Sequence, residues 1–426
     1  MENNIVVVLE FGNSALRCLA SRVEGDGKLN VLAYERLDLD KSFMNEGWIS
    51  AHKYTDLSYK VKEILRLVSN RLNMNGRTIG DVYLTIAGRS MMTQIAVVTS
   101  KSDEPVTLTS EKIQSFASSK RKELGISEEL PFYVLSFNID GQLMQKIPKN
   151  PSYKALEINY LFIRSKKNFL NDYSSLFSKI PLNNMGLIMG PIAQVQKVLS
   201  STEKRSGVLY LDFGAQQTSM VVVQNNLVKD FVVIPFGGNS LTDDLSKECN
   251  LNFDKADTFR LKELCFTSNL EDLNVSEEVG FGDEVIDCRM REIIMFVLDE
   301  LDEMKIDLKD LRAGIVYSGG VGESKGLDSL LSSMTGLSTR KASISSLLVE
   351  TSGDKVDALL KDTGVTNIVC SAFFGDQDCS GEEPSSPGLF GRKRSRDKAS
   401  SDNTNEQQSK KSKGGFLKGL EQWFTE

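Results

Sequence analysis

Val208-Leu209-Tyr210-Leu211-Asp212-Phe213-Gly214-Ala215-Gln216-Gln217-Thr218 is followed by Val221-Val222-Val223-Gln224, by Asn225-Asn226, and by Phe231-Val232-Val233-Ile234-Pro235-Phe236-Gly237-Gly238. Short apolar runs separated by Gly, Asn and Pro predict three strands joined by tight turns between Val208 and Thr242. The first run ends on an acid, then a glycine and small polar residues. This is the layout of a loop whose backbone N–H groups approach a phosphate while the carboxylate holds a metal, usually through water. It is equally the layout of a buried strand with an acidic turn, and this stretch alone leaves both readings open.

A second copy tips the balance. Ile5-Val6-Val7-Val8-Leu9-Glu10-Phe11-Gly12-Asn13-Ser14 has the same grammar: apolar run, acid, Phe, Gly, two polar residues. A strand from Leu16 to Val23, a Gly25-Asp26-Gly27 turn and a strand from Leu29 to Tyr34 follow. Two such units about two hundred residues apart predict an internal duplication whose loops face each other across a cleft and hold one nucleotide.

The 426 residues are 40% hydrophobic, enough for two or more domains with their own cores. A net charge of −7 argues against a general nucleic-acid binder. Six cysteines without Cys-x-x-Cys spacing and a single histidine, His52, argue against a zinc site or Cys/His catalysis. Met1-Glu2-Asn3-Asn4 lacks the basic and apolar regions of a signal peptide, and no apolar run approaches the ~20 residues of a spanning helix. The expectation is a soluble cytoplasmic body.

Along the chain, Val61, Ile64, Leu65, Val68 and Leu72 mark one helix face, and Val82 to Ala87 reads as a strand, an α/β alternation. From Arg89 the pattern changes. It gives a strand from Met92 to Thr99, a helix opening at Thr109-Ser110-Glu111 and closed by Gly125, a hairpin turn at Asp140-Gly141 and a strand from Ala155 to Ile163. The predicted organisation is a first core domain (1–88 and 166–204) carrying an insertion (89–165), and a second core domain (205–240 and 307–375) carrying another (241–306), with the end of 307–375 supplying a closing helix to the first core domain.

Beyond residue 375, positions 376–414 hold four apolar residues in thirty-nine, which predicts a disordered linker. Between Leu389 and Gly414, eight Lys/Arg stand against three Asp/Glu, a local +5. Over 415–426, Phe416, Leu417, Leu420, Trp423 and Phe424 fall on one sector of a helix behind Lys410, Lys411 and Lys413. This pattern suits an interfacial membrane anchor; a helix docked on a protein partner is the competing reading.

Ser318-Gly319-Gly320-Val321-Gly322 after the strand Ile315 to Tyr317 adds a third glycine turn, suited to close approach of a flat adenosine. Asp212-Phe213-Gly214 spells a kinase motif but lacks a preceding His-Arg-Asp loop, and no Gly-x-x-x-x-Gly-Lys-Ser/Thr occurs. The order phosphate loop, insertion, phosphate loop, insertion, purine loop resembles the actin and Hsp70 superfamily, an α/β ATPase superfold with duplicated core domains. Within it, the chain resembles the FtsA family through Glu10-Phe11-Gly12-Asn13-Ser14, Asp212-Phe213-Gly214 with Thr218, Ile234-Pro235-Phe236-Gly237-Gly238, Leu241-Thr242-Asp244 and Gly319-Gly320, with an insertion after Gly88.

The resemblance implies an ATP-binding, polymerising cell division protein. It would anchor FtsZ filaments to the cytoplasmic membrane at mid-cell and receive the FtsZ C-terminal peptide on the 241–306 subdomain. It further implies that ATP and Mg are held by Glu10, Gly12, Asn13, Ser14, Asp212, Gly214, Ala215, Gln216, Gln217, Thr218, Gly237, Gly238, Gly319, Gly320 and Val321, with Glu10 and Asp212 reaching the metal through water. Asp257 and either Arg260 or Lys262 fall where the family has an acid and a lysine near the nucleoside.

The chain departs from the family pattern at Glu10, where Asp is usual. Ala215, Gln216 and Gln217 also stand where the second loop normally continues with glycines, which predicts weakened or rearranged nucleotide binding. Gly190-Pro191-Ile192-Ala193 offers no acid or Gln to position an attacking water, so the chain is expected to be an adaptor with at most slow ATPase activity. Asp-x-Gly-Ala-x-x-Thr is also similar to the PilM family of pilus-assembly proteins. A metabolic kinase of the same superfold is a further alternative, for which no catalytic Asp stands out.

Overall fold

The computed structural model describes residues 4–45, 48–72, 78–144, 151–180, 182–266, 277–349 and 353–381. The linker expected at 376–414 does not begin at 376, because residues 376–381 are held on the first half. The Tyr83 hydroxyl donates to Asp376, Cys379 is buried, and Ser380 and Gly381 pair with residues 78–79. Residues 382–414 and the helix expected at 415–426 lie outside the described residues.

The first half opens with a meander of β1 (Val6–Phe11), β2 (Ala15–Val23) and β3 (Leu29–Asp38). Every residue of β1 is buried, as suits a strand covered on both faces whose run is apolar except for Glu10. A short pair, β4 (Met44–Asn45) and β5 (Trp48–Ile49), leads to α1 (Tyr54–Arg71), which buries Leu57, Val61, Ile64, Leu65 and Val68 against the sheet. Then come β6 (Thr78–Ile79) and β7 (Asp81–Ile86), the latter parallel to β1.

The insertion forms its own sheet, in the order β10-β9-β11-β8, from β8 (Met92–Thr107), β9 (Phe132–Ile139), β10 (Gln142–Met144) and β11 (Ser152–Arg164). α2 (Ser110–Leu124) covers it. Thr109 caps that helix by accepting from the Lys112 N–H, and Gly125 ends it with φ +66°. Asp140 and Gly141, at φ +51° and +87°, make the predicted tight hairpin. The strand expected to stop at Thr99 continues to Thr107, because its pairing with β11 is taken up again at Val106 and Thr107 beyond an irregularity in register.

The first half resumes with α3 (Lys167–Phe177), β12 (Asn183–Met189) and α4 (Gly190–Val198). α5 (Ser201–Ser206) carries a capping box between Ser200 and Glu203 and leads into the second half.

There β13 (Val208–Phe213), β14 (Thr218–Gln224) and β15 (Leu227–Ile234) form the predicted meander. α6 (Gly238–Glu248), α7 (Phe253–Lys262) and α8 (Glu277–Glu303) follow. Then come β16 (Ile315–Ser318), α9 (Leu327–Thr335), β17 (Thr339–Lys341), α10 (Gly353–Leu360), α11 (Thr366–Ala372) and β18 (Ser380–Gly381). The last apolar segment of the core, around Ile368, is thus a helix.

The two large sheets have the orders β12-β7-β1-β2-β3 and β15-β14-β13-β16-β17. Read from opposite edges they are the same: an antiparallel meander whose first strand carries two successive parallel neighbours. The duplication seen in two short motifs is therefore a duplication of whole sheet topology. α4 and α11 pack together, α4 also against β12 and β14, and α11 against β1, β2 and β7. One apolar cluster accordingly runs from the first sheet to Val208, Tyr210, Val221 and Val223 of the second. No described helix is long and apolar enough to cross a membrane.

Candidate functional site

The turns that end β1 and β13 meet at the line between the halves. Glu10, the penultimate residue of β1, is buried. Its Oε1 accepts from the Asn367 side chain at 2.6 Å, and its Oε2 lies 3.6 Å from an Arg17 nitrogen with no hydrogen-bond partner. Arg17 is Glu10's cross-strand neighbour on β2 and binds Asp362 through two hydrogen bonds, at 2.7 and 3.0 Å. The Tyr34 hydroxyl donates to the same Asp362 carboxylate at 2.5 Å.

Burial pushes the Glu10 carboxyl up to about 7, overcoming Arg17 and Asn367, which pull it down. Burial works the same way on Asp362, but there the Arg17 hydrogen bonds and charge win and hold the carboxyl well below the usual range. One arginine thus serves two acids unequally, and the acid with the direct bonds takes the larger share.

Asp212, at the same place on β13, accepts from Ser318 at 3.2 Å and from Gln194 at 3.0 Å. Burial raises its pKa as well, with Gln194 and Ser318 opposing. Asp212 and Glu10 are close enough for the charge of one to raise the other. Among the described residues no group of three or more His, Cys, Asp or Glu side chains is arranged to hold a metal. Two neighbouring acids, one with an unpartnered buried oxygen, fit a hydrated magnesium ion, which takes few protein ligands and keeps its waters.

The second loop is a tight turn. The Gly214 N–H donates to Gln217 O at 2.9 Å, while Gly214 O and Ala215 O accept from the Gly238 and Asn239 N–H groups at 2.9 and 2.6 Å. The first amides of α6 are therefore taken by the loop. A Cβ on Gly237 would lie 2.4 Å from Gly214 O and 2.8 Å from Gln217 N, so only glycine permits this approach. Gly319, at φ +89°, packs as closely on Phe213 O and on an Asp212 carboxylate oxygen. The Thr218 hydroxyl is directed away from the loop, donating to Phe236 O at 2.8 Å.

Gln216 and Gln217 turn out of the loop and across to the first half. Gln216 donates to Met44 O at 3.2 Å and Gln217 to Ala87 O at 3.3 Å. Their bulk is placed between the halves, leaving the backbone turn itself compact.

On the first loop, the Gly12 N–H donates to Ala15 O, Asn13 is half-buried, and Ser14 is exposed with its carbonyl accepting from the Leu39 N–H. Gly320 begins the short turn at Val321 and faces Thr363 of the first half. Val321 packs against Gly238.

Of the nucleoside candidates, Arg260 is buried and bonded to Thr242 at 3.0 Å and Asp257 at 2.7 Å, with one guanidinium nitrogen unpartnered. It lies beside Gly238. Lys262 is exposed on another face of α7, in a shallow depression with Asp254, Lys255, Thr258, Phe259 and Glu263. The geometry puts Arg260 and Asp257 with the loops and Lys262 apart from them.

One sequence expectation is corrected here. The helix opening at Gly190 does carry a glutamine at the acid: Gln194, one turn in from Gly190, is fully buried and bonded to Asp212. Arg17, Ser318, Asp362 and Asn367 were missed as well. Arg17 looks like an ordinary strand residue, and the other three lie more than a hundred residues from the acid or base they hold.

The family model described as cell division protein FtsA matches residues 209–357. The chain is 27% identical over 345 residues to the cell division protein FtsA of Neisseria meningitidis serogroup B, covering 76% of this chain and 80% of that protein. It is 23% identical over 349 residues to that of Escherichia coli K12, covering 76% and 81%. In fold it is similar to a chain of the PilM-PilN type IV pilus biogenesis complex, with a TM-score of 0.62 at 14% identity over 86% of this chain and 97% of that one. The chain is thus an actin-like α/β protein related to the cell division protein FtsA.

Proposed function

We propose that this protein is a nucleotide-binding cell division scaffold. It binds ATP with magnesium between its two halves, self-associates into filaments, and holds FtsZ at the cytoplasmic face of the membrane through residues 415–426. The observation that carries the nucleotide reading is the placement of Glu10 and Asp212 at equivalent ends of two topologically identical sheets, near enough for the Asp212 charge to act on Glu10. A magnesium ion bound there would offset the charge of the phosphates. Glu10 and Asp212 would hold its water shell, and Gly237, Gly238 and Gly319 would let the second loop and its neighbours pack closely beneath the nucleotide. Gly320 would leave room beside it, and Arg260 with Asp257 would face the nucleoside.

The role is structural, with at most slow hydrolysis, because Gln194 is bonded to Asp212 and so is not free to orient an attacking water. A weak single anchor suits such a scaffold, because linking several anchors along a filament raises avidity by roughly 10²–10⁴ without new contacts. Liposome flotation with the full chain, FtsZ and ATP tests the whole reading. Co-flotation of FtsZ is expected, lost on removing 415–426 and reduced by Asp212→Asn. Flotation undiminished by the truncation would defeat the anchor, and binding of a pilus inner-membrane partner instead of an FtsZ C-terminal peptide would favour the PilM-like alternative.

A further inference from the structure

Residues 39–45 run along the edge of the first half, with Leu39, Phe43 and Met44 buried in its apolar cluster, and touch the second half at two separate places. The segment starts at Leu39, whose N–H is bonded to Ser14 O on the tip of the first loop. Lys41 then lies 3.8 Å from an Asp243 carboxylate oxygen on α6 and 4.5 Å above the Phe253 ring that opens α7. Met44 presents its carbonyl to the Gln216 side chain at 3.2 Å. Phe43, between them, is buried, with the Lys53 and Lys60 ammonium groups 5.1 and 5.6 Å from its ring. A second bond, Gln217 to Ala87 O, joins the same loop to the end of β7. All these contacts are made by protein atoms alone.

We infer that residues 39–45 form a clasp that closes the cleft by gripping the second loop through Gln216 and the α6–α7 pair through Lys41, so that a ligand passes between the loops only when the clasp releases. The two glutamines are then the links that the second loop itself sends across to the first half. Lys41 and Gln216 act on one short segment, so loosening either loosens the grip of the other. The segment also joins the tip of the first loop to the second loop and to the 241–306 subdomain, which couples the angle between the halves to the state of the loops.

The clasp stands apart from the nucleotide reading and is tested first without nucleotide, by hydrogen exchange on the full chain. Gln216→Glu keeps the size of the side chain but faces the Met44 carbonyl with an acceptor, and Lys41→Ala changes only a surface side chain. Each should speed exchange at Leu39 and Phe43 by about threefold or more, and the double variant by about tenfold, while Phe132 to Ile139 of the inserted sheet stays unchanged. Unchanged exchange at Leu39 and Phe43, or an equal rise in the inserted sheet, would overturn the clasp. Release of a fluorescent ATP analogue should then be faster in the double variant. An analogue that binds neither protein would defeat the nucleotide reading and leave the exchange result standing.

Discussion

Gln194 donates its side-chain N–H to Oδ2 of Asp212 at 3.0 Å, linking α4, one of the helices packed between the sheets, to the acid at the head of the second loop. The amide has only one workable orientation, because turning it would set its oxygen against the carboxylate. Its own Oε1 is buried without a partner. Gln194→Leu removes one of the two side-chain donors that hold Asp212, and should destabilise the protein by about 1–3 kcal/mol. A lowered urea midpoint with unchanged slope is the expected result, and an unshifted midpoint would mean that Asp212 does not depend on this bond.

Glu10 makes stability depend on pH in an unusual direction for an acid. Its carboxyl is raised from 4.5 to about 7, so the folded state holds the proton more tightly than the unfolded chain. Its contribution is fully present below about pH 4.5 and is lost as pH rises through about 7. Glu10→Gln should therefore flatten the fall in stability between about pH 5 and about pH 8. Urea unfolding of both proteins across that range is the measurement, and parallel curves would contradict the assignment.

Asp362 behaves in the opposite sense. Its carboxyl is held low in the folded state, so its contribution is present at neutral pH and disappears in acid, as pH falls below the ordinary carboxylate range. Asp362→Asn leaves Arg17 buried with only the more distant Glu10 as a charged partner. The expected cost is about 3–5 kcal/mol, seen as a lower thermal midpoint at neutral pH. The gap between wild type and variant should narrow in acid.

Arg260 and Lys262 make opposite predictions for nucleotide affinity. Arg260→Ala removes a buried cation that bonds Thr242 and Asp257 beside Gly238, and should weaken ATP binding about tenfold or more. Lys262→Ala alters an exposed side chain on another face and should leave affinity within about twofold. Titration of both variants with a fluorescent ATP analogue decides it; a larger loss from Lys262→Ala would move the nucleoside site.

Much of this was legible because it is local. The meanders at Val6–Asp38 and Val208–Ile234, the acids at Glu10 and Asp212, and the glycines at 12, 214, 237 and 319 each announce themselves through neighbours a few residues away. So do the Thr109 cap and the Asp140-Gly141 hairpin. Arg260 and Lys262 were harder to separate, since two residues on a helix are about 200° apart and only the packing of α7 says which of them faces inward.

For the stretch from Val208 to Thr242, sequence by itself determined the strand–turn–strand–turn–strand order, the acid and glycine that head the turn, and the likeness to the opening of the chain. Those follow from backbone preferences and hydrophobic period, which act over short distances. Only the tertiary structure decided where the side chains went: Gln216 and Gln217 to carbonyls of the other half, Thr218 to Phe236, and Gln194 and Ser318 to Asp212. Buried polar atoms take whichever donor or acceptor the fold brings within reach, and those partners come from segments that meet only when the two sheets pack.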